Sequence, residues 1–194
     1  RRTTGLNRRV AGQTLAELRA LDAGRWKGTA WLHEKIPTLD EVLATVPPGR
    51  RLFIEIKTRG NTASALAKVL ARSNCRPGQI ILIGFSLKAM TSLKRKFPQI
   101  EVCWLAILRR HWQTRRWPDA ERLLRKIKRA GLDGLDLKAN RAITSNLVKR
   151  IHEAGLKLYV WTADLPEEAK KLAQAGVEGI TTNRPGWLRA QLGL

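Results

Sequence analysis

The sequence predicts a (β/α)8 barrel of which six strand-helix units are visible. From residue 51 onward, short apolar runs of strand length alternate with stretches whose apolar residues recur at helical spacing. The strands are largely apolar on both faces, as in parallel sheets covered by helices. Three successive helix ends also share one turn, Ala130-Gly131-Leu132, Ala154-Gly155-Leu156 and Ala175-Gly176-Val177. Glycine closes a helix there because it adopts the left-handed conformation without a Cβ clash. A doubly wound open sheet is the competing architecture, but the glycine-rich phosphate fingerprint expected after its first strand does not occur. A complete barrel has eight strands and typically ~250 residues. This chain has 194 residues and begins at Arg1, so two further βα units are expected upstream, with residues 1–194 forming a single barrel domain.

The elements follow in order. Thr14 with Glu17, Thr38 with Glu41 and Asp164 with Glu167 have capping-box spacing and predict helix starts. Strands are predicted over Arg51–Lys57, Gln79–Phe85, Ile100–Leu108, Leu132–Leu137, Leu156–Thr162 and Val177–Thr181. Between them, helical faces are marked by Leu66, Val69 and Leu70, by Leu87, Met90, Leu93 and Phe97, by Leu123, Leu124 and Ile127, and by Leu147, Val148 and Ile151.

Composition narrows the function classes. Hydrophobic residues make up 43% and charged residues 27%, which sets aside disorder. No apolar run approaches the roughly 20 residues that span a bilayer. Two cysteines, Cys75 and Cys103, are too few for a disulfide framework; they favour a reducing, cytoplasmic setting, and Cys103 in mid-strand reads as core. Lysine and arginine total 37 against 16 acids, a net charge of +21, so a polyanionic or phosphorylated partner is expected. The densest basic run spans residues 109–129. Its first half interleaves His111, Trp112 and Trp117, as in single-strand nucleic-acid grooves. A solvated helix face followed by a basic loop explains the same pattern.

Barrel enzymes work at the C-terminal ends of their strands. In Leu52-Phe53-Ile54-Glu55-Ile56-Lys57, alternation puts three aliphatic residues on one face and Phe53, Glu55 and Lys57 on the other. The aliphatic face meets the helices, so the carboxylate and ammonium point into the barrel near its mouth. They form either a structural ion pair or a cation and phosphate site. Of the three histidines, His33 falls in the excursion before Pro37 and His152 within a helix, and only His111 is near the mouth, with no evident carboxylate to orient it. His111 falls in the loop after a strand and is expected to meet solvent or phosphate. Trp26, Trp31, Trp104 and Trp187 read as packing residues.

Several segments carry a resemblance: R-T-T-G at Arg2–Gly5, T-L-A-E-L-R-A-L-D-A-G at Thr14–Gly24, I-P-T-L-D-E-V-L at Ile36–Leu43, I-E-I-K at Ile54–Lys57, V-W-T-A-D at Val160–Asp164 and G-V-E-G-I-T-T-N-R-P at Gly176–Pro185. In order and spacing the chain resembles the glycerophosphodiester phosphodiesterase family. The resemblance implies a (β/α)8 barrel that hydrolyses glycerophosphodiesters to glycerol 3-phosphate and an alcohol with a divalent cation, Mg or Ca. It implies Glu55 as a metal ligand, alongside a Glu-x-Asp pair from an earlier strand. The family's two catalytic histidines sit in His-Arg and His-Asp motifs that precede R-T-T, so no residue of this chain maps onto them and little activity is expected of it. Lys57, Trp161, Phe85, Ser86 and Arg2 are the implied substrate contacts. Asn183 stands where the family often has Asp, and Asp164 where it often has Asn. The alternative function is a non-catalytic basic barrel that binds nucleic acid or an anionic membrane through residues 109–129.

Overall fold

The computed structural model describes residues 2–58 and 62–194. Residues 2–50 carry two short capped helices, α1 (Leu15–Ala20) and α2 (Leu39–Ala44), separated by 3-10 turns. Both predicted capping boxes form: Thr14 and Thr38 accept from the backbone N–H of Glu17 and Glu41, whose carboxylates reach back to the cap. Six βα units follow: β1 (Leu52–Glu55), α3 (Thr62–Arg72), β2 (Ile80–Gly84), α4 (Leu87–Lys96), β3 (Glu101–Ala106), α5 (Ala120–Ala130), β4 (Gly134–Lys138), α6 (Ser145–Glu153), β5 (Lys157–Trp161), α7 (Pro166–Ala175), β6 (Gly179–Thr181) and α8 (Pro185–Leu192).

All five strand pairings are parallel, in the order β1 to β6, and among the described residues β1 and β6 do not pair. The sheet is nevertheless strongly curled. In a flat sheet β1 and β5 would lie four strand spacings apart, roughly 19 Å. Instead the Phe53 and Tyr159 rings meet edge-to-face at 5.0 Å. The sheet is therefore an open barrel wall. Its convex face packs Leu52, Ile54, Leu82, Val102, Leu135, Leu158 and Val160 against the helices, and its concave face buries Ile81, Cys103 and Tyr159. Gly179 makes room for the latter, since a Cβ there would lie 3.1 Å from the Tyr159 ring.

Helix ends behave as the repeated turn predicts. Gly131 and Gly176 close α5 and α7 in the left-handed conformation, and Gly155, at φ +74°, follows α6. The third predicted capping box does not form. Pro166 fixes φ and lacks an N–H, so it takes the first helical position and holds Leu165 extended as the N-cap. That frees the Asp164 carboxylate for another contact.

Candidate active site

The floor and the mouth of the barrel differ in chemistry. At the N-terminal ends of the strands, Glu101 accepts from Tyr159 Oη at 2.7 Å and from Lys157 Nζ at 2.5 Å. Arg51 donates to Tyr159 Oη at 2.9 Å and lies 3.6 Å from Glu101. Burial, together with its bond to Glu101, pushes the Tyr159 phenol above its ordinary range. Burial likewise pushes up the Cys103 thiol, so it sits in the wall as an inert core group. A cavity of about 710 Å³ opens at this same end, lined by Leu43, Val46, Arg72, Cys75 and Gln79 among others, away from the predicted site.

At the other end, β1 delivers Glu55 to the mouth. Ile54 and Ile56 pack outward against the helical core, as the alternation requires. Lys57 Nζ lies 3.2 Å from Glu55 Oε2, and the two side chains are 76% and 32% exposed. The pair faces solvent, which departs from the expectation that both groups are buried. Its Coulomb attraction is correspondingly screened.

Phe85 follows β2 and Trp161 ends β5. Their rings meet edge-to-face at 5.8 Å, so two side chains named separately from the sequence form one aromatic contact across the concave side. Trp161 Nε1 donates to the Asp136 carbonyl at 3.2 Å, which fixes the indole against β4. Ser86 is the N-cap of α4 and accepts from the Ala89 N–H at 3.3 Å. The Arg2 guanidinium sits 4.6 Å from the centroid of the Trp26 ring.

Asp136 was not singled out by sequence. It is 1% exposed, and its Oδ1 has no hydrogen-bond partner among the described residues. Burial, reinforced by the Glu55 charge, pushes its pKa up to about 7. The available signal was a lone acid at inward parity in the run Gly134-Leu135-Asp136-Leu137.

The two departures from the family pattern belong to one contact. Asp164 Oδ1 accepts from Asn183 N at 2.7 Å and from Thr182 Oγ1 at 2.8 Å, while Oδ2 accepts from Asn183 Nδ2 at 2.8 Å. These donors hold the Asp164 carboxyl below its ordinary range.

No histidine stands with the mouth carboxylates. His152 on α6 pairs with Glu178 at 3.0 Å, and the His33 N–H donates to Asp22 at 3.0 Å. His111 lies in the loop after β3, where its ring accepts from Thr114 N at 3.4 Å. The packing role expected of Trp104 is seen: its indole donates to the Phe85 carbonyl at 3.0 Å under Lys126. Trp26 and Trp31, 51% and 46% exposed, instead lie beneath the cations of Arg2 and Lys27, and Trp187, 37% exposed, lies beneath that of Arg184.

Ca takes six to eight oxygen ligands, carboxylates among them, while Mg takes six, usually one or two carboxylates with waters and substrate phosphate oxygens. Among the described residues, no group of three or more His, Cys, Asp and Glu side chains could hold a metal ion. Glu55 and the unpartnered oxygen of Asp136 are the carboxylates nearest to that role, and they do not by themselves make such a site.

Comparison with known proteins gives these residues a family. The model of the glycerophosphoryl diester phosphodiesterase family matches residues 1–187. A glycerophosphodiester phosphodiesterase of Caldanaerobacter subterraneus subsp. tengcongensis is 28% identical over 189 residues, covering 95% of this chain and 73% of that protein. One from Bacillus subtilis strain 168 is 28% identical over 201 residues, covering 95% of this chain and 66% of that protein. Among solved structures, an Oleispira antarctica phosphodiesterase in complex with the product sn-glycerol-3-phosphate matches with a TM-score of 0.83 at 26% identity, over 100% of this chain and 76% of that one. The chain thus spans 66% to 76% of the length of these relatives.

Proposed function

Because the chain belongs to the glycerophosphoryl diester phosphodiesterase family, a family of phosphoric diester hydrolases, we propose that its barrel mouth binds the glycerol phosphate moiety of a glycerophosphodiester. The observation that carries this reading is the Glu55–Lys57 pair at the mouth of a barrel whose wall also presents the Phe85–Trp161 contact. Lys57 supplies positive charge to the phosphoryl oxygens through a charge-assisted hydrogen bond. The aromatic pair offers an apolar wall to the carbon skeleton of glycerol. Arg2 and Ser86 take lesser parts: Ser86 already caps α4 and Arg2 already covers Trp26.

Family membership is in keeping with a divalent cation, which would polarise the phosphoryl oxygens. Glu55 is the residue of this chain offered to it. The chemistry available to the chain's own side chains is otherwise electrostatic, because hydrolysis also needs a proton donor for the leaving alkoxide: among the described residues no histidine stands with Glu55, and Asp136, whose raised pKa favours its protonated form, is only 1% exposed. Residues 1–194 are therefore expected to bind the glycerol phosphate moiety with little turnover.

Calorimetric titration with sn-glycerol 3-phosphate tests the site. Binding is expected, and Lys57→Met is expected to weaken it about tenfold or more, the loss of one charge-assisted bond. A coupled assay for glycerol 3-phosphate release is expected to show turnover well below ~1 per second. Binding that Lys57→Met leaves untouched would place the phosphate elsewhere, and ordinary turnover would locate a proton relay that these side chains do not reveal.

A further inference from the structure

The exposed apolar side chains are not spread evenly over the barrel. After residue 50, the large apolar residues left exposed are Phe53 inside the open wall, the terminal Leu194, and five others: Phe85, Ile107, Trp112, Leu165 and Trp187. Phe85, Ile107, Trp112 and Leu165 lie between the C-terminal end of a strand and the helix that follows it, and Trp187 lies in the first turn of α8, so all five are on the mouth face. Among the described residues, no loop leading from a helix into a strand carries one.

The most exposed of them, Trp112 at 78%, stands in the loop between β3 and α5. That loop is built to present it. His111 N donates to the Arg116 carbonyl at 2.8 Å and Arg115 N to the His111 carbonyl at 2.9 Å, closing a turn in which Arg115 takes φ +56°. Arg109, Arg110, Arg115 and Arg116 are exposed in the same loop, and among the described residues none has a carboxylate within ion-pair distance. Asn140 Nδ2 donates to the Leu108 carbonyl at 3.1 Å and ties the next mouth loop, which carries exposed Arg141, to the base of this one.

We propose that this face is a peripheral docking surface for an anionic lipid bilayer, with Trp112 seated at the headgroup level and the four arginines on the lipid phosphates. Indole rings favour that level, and basic residues near an anionic leaflet are held electrostatically. Apolar and cationic groups on one face, rather than cations alone, distinguish this surface from the general positive field of the chain. A single-stranded nucleic acid would need successive free rings on which to stack its bases. Only Trp112 is free in this loop; Trp117 is half-buried under the Arg110 guanidinium, 4.9 Å from its centroid. The proposal rests on the distribution of side chains and not on the phosphodiesterase reading. It orients the mouth toward the lipid surface.

Vesicle flotation at about 0.15 M salt tests it. The chain is expected to float with phosphatidylcholine–phosphatidylglycerol vesicles and to remain unbound with phosphatidylcholine alone. The double change Arg109→Ser with Arg116→Ser should lower partitioning on the order of tenfold or more. Arg95→Ser with Lys96→Ser removes the same charge from the opposite end of the barrel and should change it far less. Trp112→Ala should lower partitioning several-fold and diminish quenching of tryptophan fluorescence by brominated acyl chains, leaving the share due to Trp187, while its melting point stays at the wild-type value because the ring is exposed. Equal losses from the two charge-removing pairs would overturn the proposal. So would tighter binding to a single-stranded oligonucleotide than to the anionic vesicles, or quenching that is undiminished in Trp112→Ala.

Discussion

Asp136 is a carboxyl whose environment favours its neutral form, and this makes stability depend on pH with a definite sign. Burial, with Glu55 nearby, raises its pKa from an ordinary 3.8 to about 7. The folded chain therefore holds this proton more tightly than the unfolded chain does. Well below its ordinary pKa of 3.8 both states are protonated and the ionisation penalty vanishes. As pH rises toward 7 the unfolded state gains by ionising first, and the penalty grows to about 4 kcal/mol. The hydrogen-bonded carboxyls of Glu17, Glu41 and Asp164 have lowered pKa values and run the other way: their stabilisation is present above their ordinary pKa and fades as pH falls below it. Asp136→Asn should therefore raise the melting temperature near pH 7 and leave it little changed near pH 4, read from thermal melts across that window. A variant that destabilises near pH 7 and much less near pH 4 would mean that Asp136 is ionised and partnered in the fold. Lys57 is the contrasting case. Its pair with Glu55 is exposed and worth at most about 1 kcal/mol, so Lys57→Met should weaken glycerol 3-phosphate binding while barely moving the melt.

At the scale of the element, the turn after β6 is held to the turn after β5 by Asp164. Asn183→Asp replaces a donor with a second carboxylate beside Asp164 and should cost about 1–3 kcal/mol. Adding Asp164→Asn restores one acceptor and one donor with the roles exchanged, so the double variant should recover most of that loss. A cycle with no coupling would show that the backbone donors of this turn suffice alone. This contact also marks where sequence reading reaches its limit. The strands were legible because parallel strands buried on both faces are continuous apolar runs, and the helix ends because Gly131, Gly155 and Gly176 occupy positions with positive φ. Both N-terminal capping boxes were legible for the same reason: a local rule decides them. The Asp164–Glu167 box failed because Pro166 imposed a stronger local rule. Glu55 was placed at the mouth by the strand alternation, while its expected metal role and the expected pocket role of Trp161 came from the family resemblance. The Phe85–Trp161 contact, the floor around Glu101 and the isolation of Asp136 were not legible, because each joins strands that only the curl of the sheet brings together.

At the scale of the whole molecule, the excess of 37 cations over 16 acids sets the response to salt. Two opposing effects compete. Salt weakens surface pairs such as Lys149–Glu153, 3.8 Å apart, but each is worth only about 0.3–0.5 kcal/mol. Salt also screens the mutual repulsion of the cations that have no acid to face, and that repulsion grows with the square of the net charge and is greatest in the compact state. With +21 unbalanced charges the second effect wins. The melting temperature of the chain should therefore rise by several degrees between about 0.01 M and 0.15 M salt, as the screening length falls from roughly 30 Å to 8 Å. The floor network should be nearly indifferent to the same change. Glu101 is only 13% exposed and holds Tyr159 and Lys157 directly, so its bonds are shielded from mobile ions. Glu101→Gln keeps the shape but removes the charge that Arg51 and Lys157 face, at a cost of about 3 kcal/mol. Its melting curve should run parallel to the wild type across the salt series. A gap that closes with salt would show that the floor is solvated, and a wild-type melting temperature that falls with salt would show that local pairs outweigh the net field.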